Sequence, residues 1–167
     1  MTLDELNQSP PHAFIAALGG LFEHSPWVAE RVAALRPFAS IDALHAAMCE
    51  AVATAGEGPQ MALIRAHPQL AGKAAIRGEL TESSTNEQRG AGLDQCSPEE
   101  FAEITRLNAE YDTRFGFPFI LAVKGHTRAS ILANMRARIN HERDAEIAEA
   151  LKQIERIARF RLEALLS

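Results

Sequence analysis

Residues 143–166 read RDAEIAEALKQIERIARFRLEALL. Within them Ile147, Leu151, Ile154, Ala158, Arg161 and Leu165 fall at alternating four- and three-residue steps, the spacing that gathers side chains on one face of an α-helix. Five of the six are apolar, and Arg161 is the exception. A guanidinium on a core stripe needs a partner. A carboxylate ligand or a buried acid would serve, because the planar fork suits a carboxylate; alternatively Arg161 sits at the stripe's edge and reaches solvent. The other charges of the segment, Glu142, Arg143, Asp144, Glu146, Glu149, Lys152, Glu155 and Arg156, read as a solvated face.

Working back toward the N-terminus, the same grammar repeats. Ser97-Pro98-Glu99-Glu100 is a capping box that opens a helix to Phe115, closed by Gly116. Thr127 caps a helix to Asn140, and Ser40 caps one over 41–55. Ser9-Pro10-Pro11 and Ser25-Pro26 pair a cap with a first-turn proline and open helices over 10–20 and 26–35. Shorter helices are expected over 60–66, 71–77 and 84–91. Thirty of the 167 residues are alanine, the best helix former. The fold class is therefore all-α: one domain over 1–167, a multi-helix bundle with short irregular segments and no significant sheet.

Composition narrows the function. Seventeen Lys+Arg against 22 Asp+Glu give a net charge of −5, and no nucleic acid or anionic membrane is expected as partner without a basic surface. No apolar run approaches a membrane span. The first residues lack the basic-then-apolar layout of a signal peptide, and Cys49 and Cys96 form no C-x-x-C motif. A cytoplasmic protein is expected. No H-E-x-x-H, G-x-S-x-G or phosphate-cradling glycine loop occurs, so no metal site is assigned.

Three segments could carry chemistry. His67 stands before Pro68, which keeps its backbone out of the helical region, and an imidazole titrates near neutrality, as a proton donor should. A cap or a buried hydrogen bond is the plainer alternative. Ser84-Thr85-Asn86-Glu87-Gln88 has the spacing of a capping box from Ser84 to Glu87; the same helix start could hold an anionic group while Glu87 holds a hydroxyl. Phe117-Pro118-Phe119-Ile120-Leu121-Ala122-Val123 is apolar, interrupted by proline and flanked by Gly116 and Gly125. It has strand composition but no second strand to pair with. Its buried N–H and C=O groups need partners, since each one left unmet costs about 1–3 kcal/mol. Side chains, water, a partner subunit or an amide-bearing ligand could supply them.

The motifs His67-Pro68-Gln69-Leu70-Ala71-Gly72, then Glu87-Gln88 with Ala91-Gly92-Leu93, then Asn108 and Tyr111 leading to Arg114-Phe115-Gly116-Phe117-Pro118-Phe119-Ile120 and Ala122-Val123-Lys124-Gly125, together resemble the 2-oxo-4-hydroxy-4-carboxy-5-ureidoimidazoline (OHCU) decarboxylases. The resemblance implies an all-α homodimer without metal or organic cofactor, acting on a small ureidoimidazoline in urate degradation and releasing (S)-allantoin and carbon dioxide. It assigns the proton donor to His67, with Glu87 as second catalytic residue. Substrate contacts fall at Pro68, at Ser84, Thr85, Asn86, Glu87 and Gln88, at Phe119, Ile120, Leu121, Ala122 and Val123, and at Arg161. Gln69 departs from the acidic residue more usual at its position. The runner-up is a metal-dependent helical hydrolase of a related ureide. A third reading is a helical interaction module with Arg161 at its surface.

Overall fold

In the computed structural model, which describes residues 1–166, helices begin where short polar side chains can satisfy free backbone donors. Ser97 and Glu100 form the capping box expected of them. Thr127 and Ser40 also cap as expected. The helices are α1 (Leu3–Gln8), α2 (Pro11–Leu18), α3 (Trp27–Val32), α4 (Ile41–Ala53), α5 (Glu57–Ala66), α6 (Lys73–Ile76), α7 (Glu82–Gly90), α8 (Pro98–Phe115), α9 (Arg128–Arg138) and α10 (Arg143–Leu165), with 3-10 turns at Ala33–Leu35 and Leu93–Gln95. No strand occurs among the described residues, so the all-α expectation holds. Nor is any described helix long and apolar enough to cross a membrane.

Three local expectations are corrected. Ser9 and Ser25 do not N-cap the helices that follow them: Ser9 is the C-cap of a helix α1 that the sequence does not signal, its Oγ donating to Leu6 O at 2.7 Å, and Ser25 Oγ donates to Glu23 O at 2.9 Å. The helix over 82–90 is capped by Thr81, whose hydroxyl accepts from Ser84 N–H at 3.2 Å. The Ser84–Glu87 capping box is thereby ruled out, because Ser84 already lies inside the helix. The buried face of α10 keeps Ile154, Ala158 and Arg161 of the expected stripe but is wider and centred nearer the preceding residues: it also takes in Glu146, Ala150, Gln153, Ile157 and Leu162, while Ile147, Leu151 and Leu165 are only half-buried. Glu146 is therefore no part of a solvated face: it is 0% exposed.

Contacts divide the chain into two compact units. The first comprises Met1–Ala66 with α10 from Ile154 onward. Its core is Leu6, Phe14, Leu18, Leu44, Met48, Leu63 and Ile64, all essentially without solvent contact, and α3 packs on α4 within it. The second, His67–Gln153, holds α6 to α9 and the first turns of α10. Its core centres on Tyr111, whose ring meets Phe115, Phe117 and Phe119 at centroid distances of 4.5, 5.8 and 5.5 Å. The last two meet it edge to face, an arrangement aromatic pairs favour. Gly116 ends α8 at φ 78, a left-handed turn that glycine adopts without strain, and the chain leaves directly into 117–123.

Leu63→Ala deletes a fully buried side chain of the first unit. It should lower the unfolding free energy by about 2–5 kcal/mol, measured by urea titration.

Candidate active site

His67 is 7% exposed and opens the second unit. The loop it heads is pinned by amide side chains. Gln88 of α7 accepts from Ala71 N–H at 2.9 Å and donates to Gln69 O at 3.3 Å. Asn108 of α8 donates to Leu70 O at 2.9 Å. Ala71 sits at φ 50, a left-handed conformation that costs a non-glycine residue energy, and the Gln88 bond falls on its amide. Gly72 is required by space: a Cβ there would lie 2.8 Å from the Gln69 Cβ. The imidazole thus stands on a loop tied at three consecutive residues.

Across α7 the expected contacts divide by exposure. Ser84 and Gln88 are buried, Thr85 and Glu87 are half-buried, and Asn86 is exposed. Since Thr81 uses the Ser84 N–H, that amide is not available as an anion donor. Pro68 is half-buried.

Phe119, Ile120, Leu121, Ala122 and Val123 are all buried, none more than 7% exposed. Side chains meet part of their backbone. Arg138 Nη1 donates to Ile120 O at 2.6 Å, and Ala122 N–H donates to Gln153 Oε1 at 3.0 Å. Val123 O accepts from His126 N–H at 2.9 Å. Among the described residues no protein group meets the N–H of Leu121 or of Val123. The bonds at Ile120 and Ala122 thus alternate along the chain with the amides of Leu121 and Val123, and in an extended segment such alternation puts the two sets on opposite edges.

Helix α8 brings the loop and this stretch together. Asn108 holds Leu70 O, and Tyr111, three residues on, packs against Phe119. That is one helical turn, roughly 4.5 Å of rise.

The chain as a whole has relatives among known proteins. The family model described as OHCU decarboxylase matches residues 7–163. A 2-oxo-4-hydroxy-4-carboxy-5-ureidoimidazoline decarboxylase of Halalkalicoccus jeotgali is 42% identical over 165 residues, 99% of this chain and 92% of that protein. This chain belongs to the OHCU decarboxylase family. The uric acid degradation bifunctional protein PucL of Bacillus subtilis is 45% identical over 99% of this chain, which spans only 33% of PucL. A crystal structure of (S)-allantoin synthase superposes with a TM-score of 0.82 at 29% identity, covering 99% of this chain and 54% of that one. An OHCU decarboxylase crystallised in the presence of (S)-allantoin shares the fold at TM-score 0.71, with 19% identity and coverage of 95% and 99%.

Arg161, assigned to substrate by the family resemblance, lies in the first unit. Its Nη1 donates to Glu23 Oε2 at 2.8 Å and to Gly20 O at 3.1 Å, with Glu23 itself 2% exposed. A buried acid is thus one partner of this guanidinium.

Three residues that hold this region, Arg138, Glu146 and Gln153, carry no signal of their own in the sequence, and Asn108 and Tyr111 stand out only as part of the family motifs. Glu146 could have been suspected, because it lies on the α10 face shared with Ala150, Ile154 and Arg161. A pocket of about 640 Å³ in the second unit includes Ala71, Thr85, Gln88, Leu93, Cys96 and Phe101 in its wall, but not His67, Glu87 or residues 119–123. Among the described residues no group of three His, Cys, Asp or Glu is placed to hold a metal. The thiols are poor nucleophiles. Burial pushes Cys49 up to about 12, with Glu155 adding to the effect, and burial also raises Cys96.

Two outcomes follow for this site and its surroundings. Gln88→Ala leaves the buried Ala71 amide unmet and should cost about 1–3 kcal/mol in stability by urea unfolding. Because burial holds the Cys49 thiol well above its free value, alkylation at pH 8 followed by mass spectrometry should label Cys49 far more slowly in the folded protein than in urea. The sign for stability is matched. The unfolded thiol ionises first, so the folded state loses this advantage as pH rises above about 8.5, its unfolded value.

Proposed function

We propose that this chain is a cofactor-independent decarboxylase that converts 2-oxo-4-hydroxy-4-carboxy-5-ureidoimidazoline to (S)-allantoin and carbon dioxide. The observation that carries this reading is the buried His67 on its pinned loop. It is tied through one turn of α8 to a buried stretch that still offers two backbone donors. The family match over residues 7–163 supports it.

The substrate carbon that carries the carboxylate also bears a hydroxyl and adjoins a ring C=N. When its bond to the carboxylate breaks, the electron pair moves into the ring and on to the ring nitrogen, so the substrate is its own electron sink. The neighbouring ring carbon then takes a proton, the nitrogen holds one, and the hydroxyl becomes a carbonyl as it loses its own. Carbon dioxide leaves, and one proton is consumed from solvent overall. His67 delivers the proton to one face of that ring carbon, which sets the S configuration. Glu87 accepts a hydrogen bond from the substrate hydroxyl and orients the imidazole. The Leu121 and Val123 amides donate to the ring and ureido oxygens. Fixed donors of this kind hold the substrate in place for the proton transfer.

Pro68, Ser84 and Gln88 complete the binding surface in this reading. Thr85 and the exposed Asn86 contribute through the helix that carries them. A homodimer in the cytoplasm is the assembly and compartment we assign, consistent with the metabolic names of the relatives.

The test supplies freshly generated intermediate and follows the circular dichroism of allantoin. The spontaneous reaction gives a racemate, so a rapid one-handed signal is expected, and a racemate formed at the uncatalysed rate would overturn the assignment. His67→Asn should fold normally and lose about 10²–10⁴-fold in kcat, the usual contribution of a general acid; a near-wild-type kcat would remove His67 from the proton-donor role.

A further inference from the structure

A carboxylate with no solvent contact lies behind the recognition stretch. Glu146 is 0% exposed and is met from three sides: Tyr111 Oη donates at 2.5 Å, Arg138 Nε at 2.9 Å, and His141 Nδ1 lies at 3.0 Å. These residues come from α8, from the end of α9, from the turn after it and from the start of α10. Arg138, 4% exposed, continues the chain of contacts. Its Nη1 donates to Ile120 O at 2.6 Å, and its guanidinium carbon stands 4.3 Å from the centroid of Phe119. Gln153 on α10 holds the next alternate group, Ala122 N–H, and is itself held by Glu149 at 2.8 Å. One guanidinium therefore links a buried carboxylate to the carbonyl and ring of the two residues just before the open Leu121 amide, and Gln153 holds the residue between that amide and Val123.

We propose that Arg138, fixed by Glu146 and Tyr111, is the positioning residue that sets the edge of residues 119–123 facing the substrate. This rests on the decarboxylase reading above and adds to it a group that does not touch the substrate. Arg138 occupies the back edge of the stretch, so the Leu121 and Val123 amides stay aimed from the front. Lysine cannot replace this fully: an ammonium is a point donor, whereas the fork bonds Glu146 with one nitrogen and Ile120 with another. Tyr111 acts one step further back. Its hydroxyl is pushed up in pKa by burial and then by Glu146, so it remains a donor across the working pH range. Glu146 thereby keeps a lone pair occupied and its orientation toward Arg138 fixed.

The binding amides make the same contacts before and during the reaction. Misplacing them should therefore raise KM and spare kcat. Arg138→Met, Arg138→Lys and Tyr111→Phe are assayed beside the wild type by allantoin circular dichroism, below each variant's melting temperature. Arg138→Met is expected to raise KM about tenfold or more, roughly the loss of one well-placed hydrogen bond, with kcat within about threefold of wild type. Arg138→Lys should recover part of that KM, and Tyr111→Phe should raise KM about threefold. If Arg138→Met does not fold, the lysine and Tyr111→Phe variants decide by the same split. A KM unchanged in the folded variants would overturn the proposal, and so would an equal fall in kcat and kcat/KM, since a merely structural role lowers the melting temperature without the split. A wild type that makes no one-handed allantoin fails the decarboxylase reading instead, and is distinguished by the first measurement of the series.

Discussion

A carboxylate taken out of water must be met by donors, or it becomes protonated or destabilises the fold. Glu146 is held in that condition by a phenol, a guanidinium and an imidazole. Much of the second unit is arranged to satisfy it. Helices α8 and α9 and the first turn of α10 converge on this one group, and the chain between α8 and α9 is drawn against the same arginine. Of the three donors, only His141 reaches solvent appreciably, with 51% of its side chain exposed. The polar centre is otherwise dry, and Tyr111 presents its ring to Phe115, Phe117 and Phe119 while its hydroxyl faces the acid. One residue thus joins the aromatic core to the ionic one.

The His67 loop follows a second logic, in which neutral amides do the work of charges. Gln88 and Asn108 each lie on a helix and each bond backbone in the same short loop. Amide groups can donate and accept without carrying a net charge into the interior. This leaves the imidazole as the ionisable group of the loop, and places Glu87 on the same helix as the Gln88 clamp.

The helical class, the capping box at Ser97, the Thr127 and Ser40 caps and the boundaries of α8 were legible in the sequence, because each depends on local chemistry. The 117–123 stretch was also legible as extended chain without a ladder: proline and the flanking glycines exclude helix whatever the surroundings. What escaped was decided at long range. Glu146 looks like any other acid of a charged helix until α8 and α9 supply its partners, and the true face of α10 is wider than the expected stripe as a result. Ser84 resembled a cap because serine often is one, yet Thr81, three residues earlier, reached its amide first. The side chains that bond Ile120 and Ala122 come from sequence distances of 18 and 31 residues, beyond any local pattern. His67, Glu87, Gln88, Asn108 and the stretch itself were marked by context and by the family motifs together, whereas Arg138, Glu146 and Gln153 were not.

Phe117-Pro118-Phe119-Ile120-Leu121-Ala122-Val123 is the kind of segment that aggregates when free: aromatic and branched, uncharged, with backbone donors still to spend. In a sheet protein such an edge is shielded by a neighbouring strand, but among the described residues no strand occurs to shield it. Arginine and glutamine side chains block one edge, Pro118 removes a donor at its start, and burial hides the remainder. The stretch proposed above to grip the substrate is therefore also a point of risk during synthesis and refolding, before the side chains of α9 and α10 that bond it are in place.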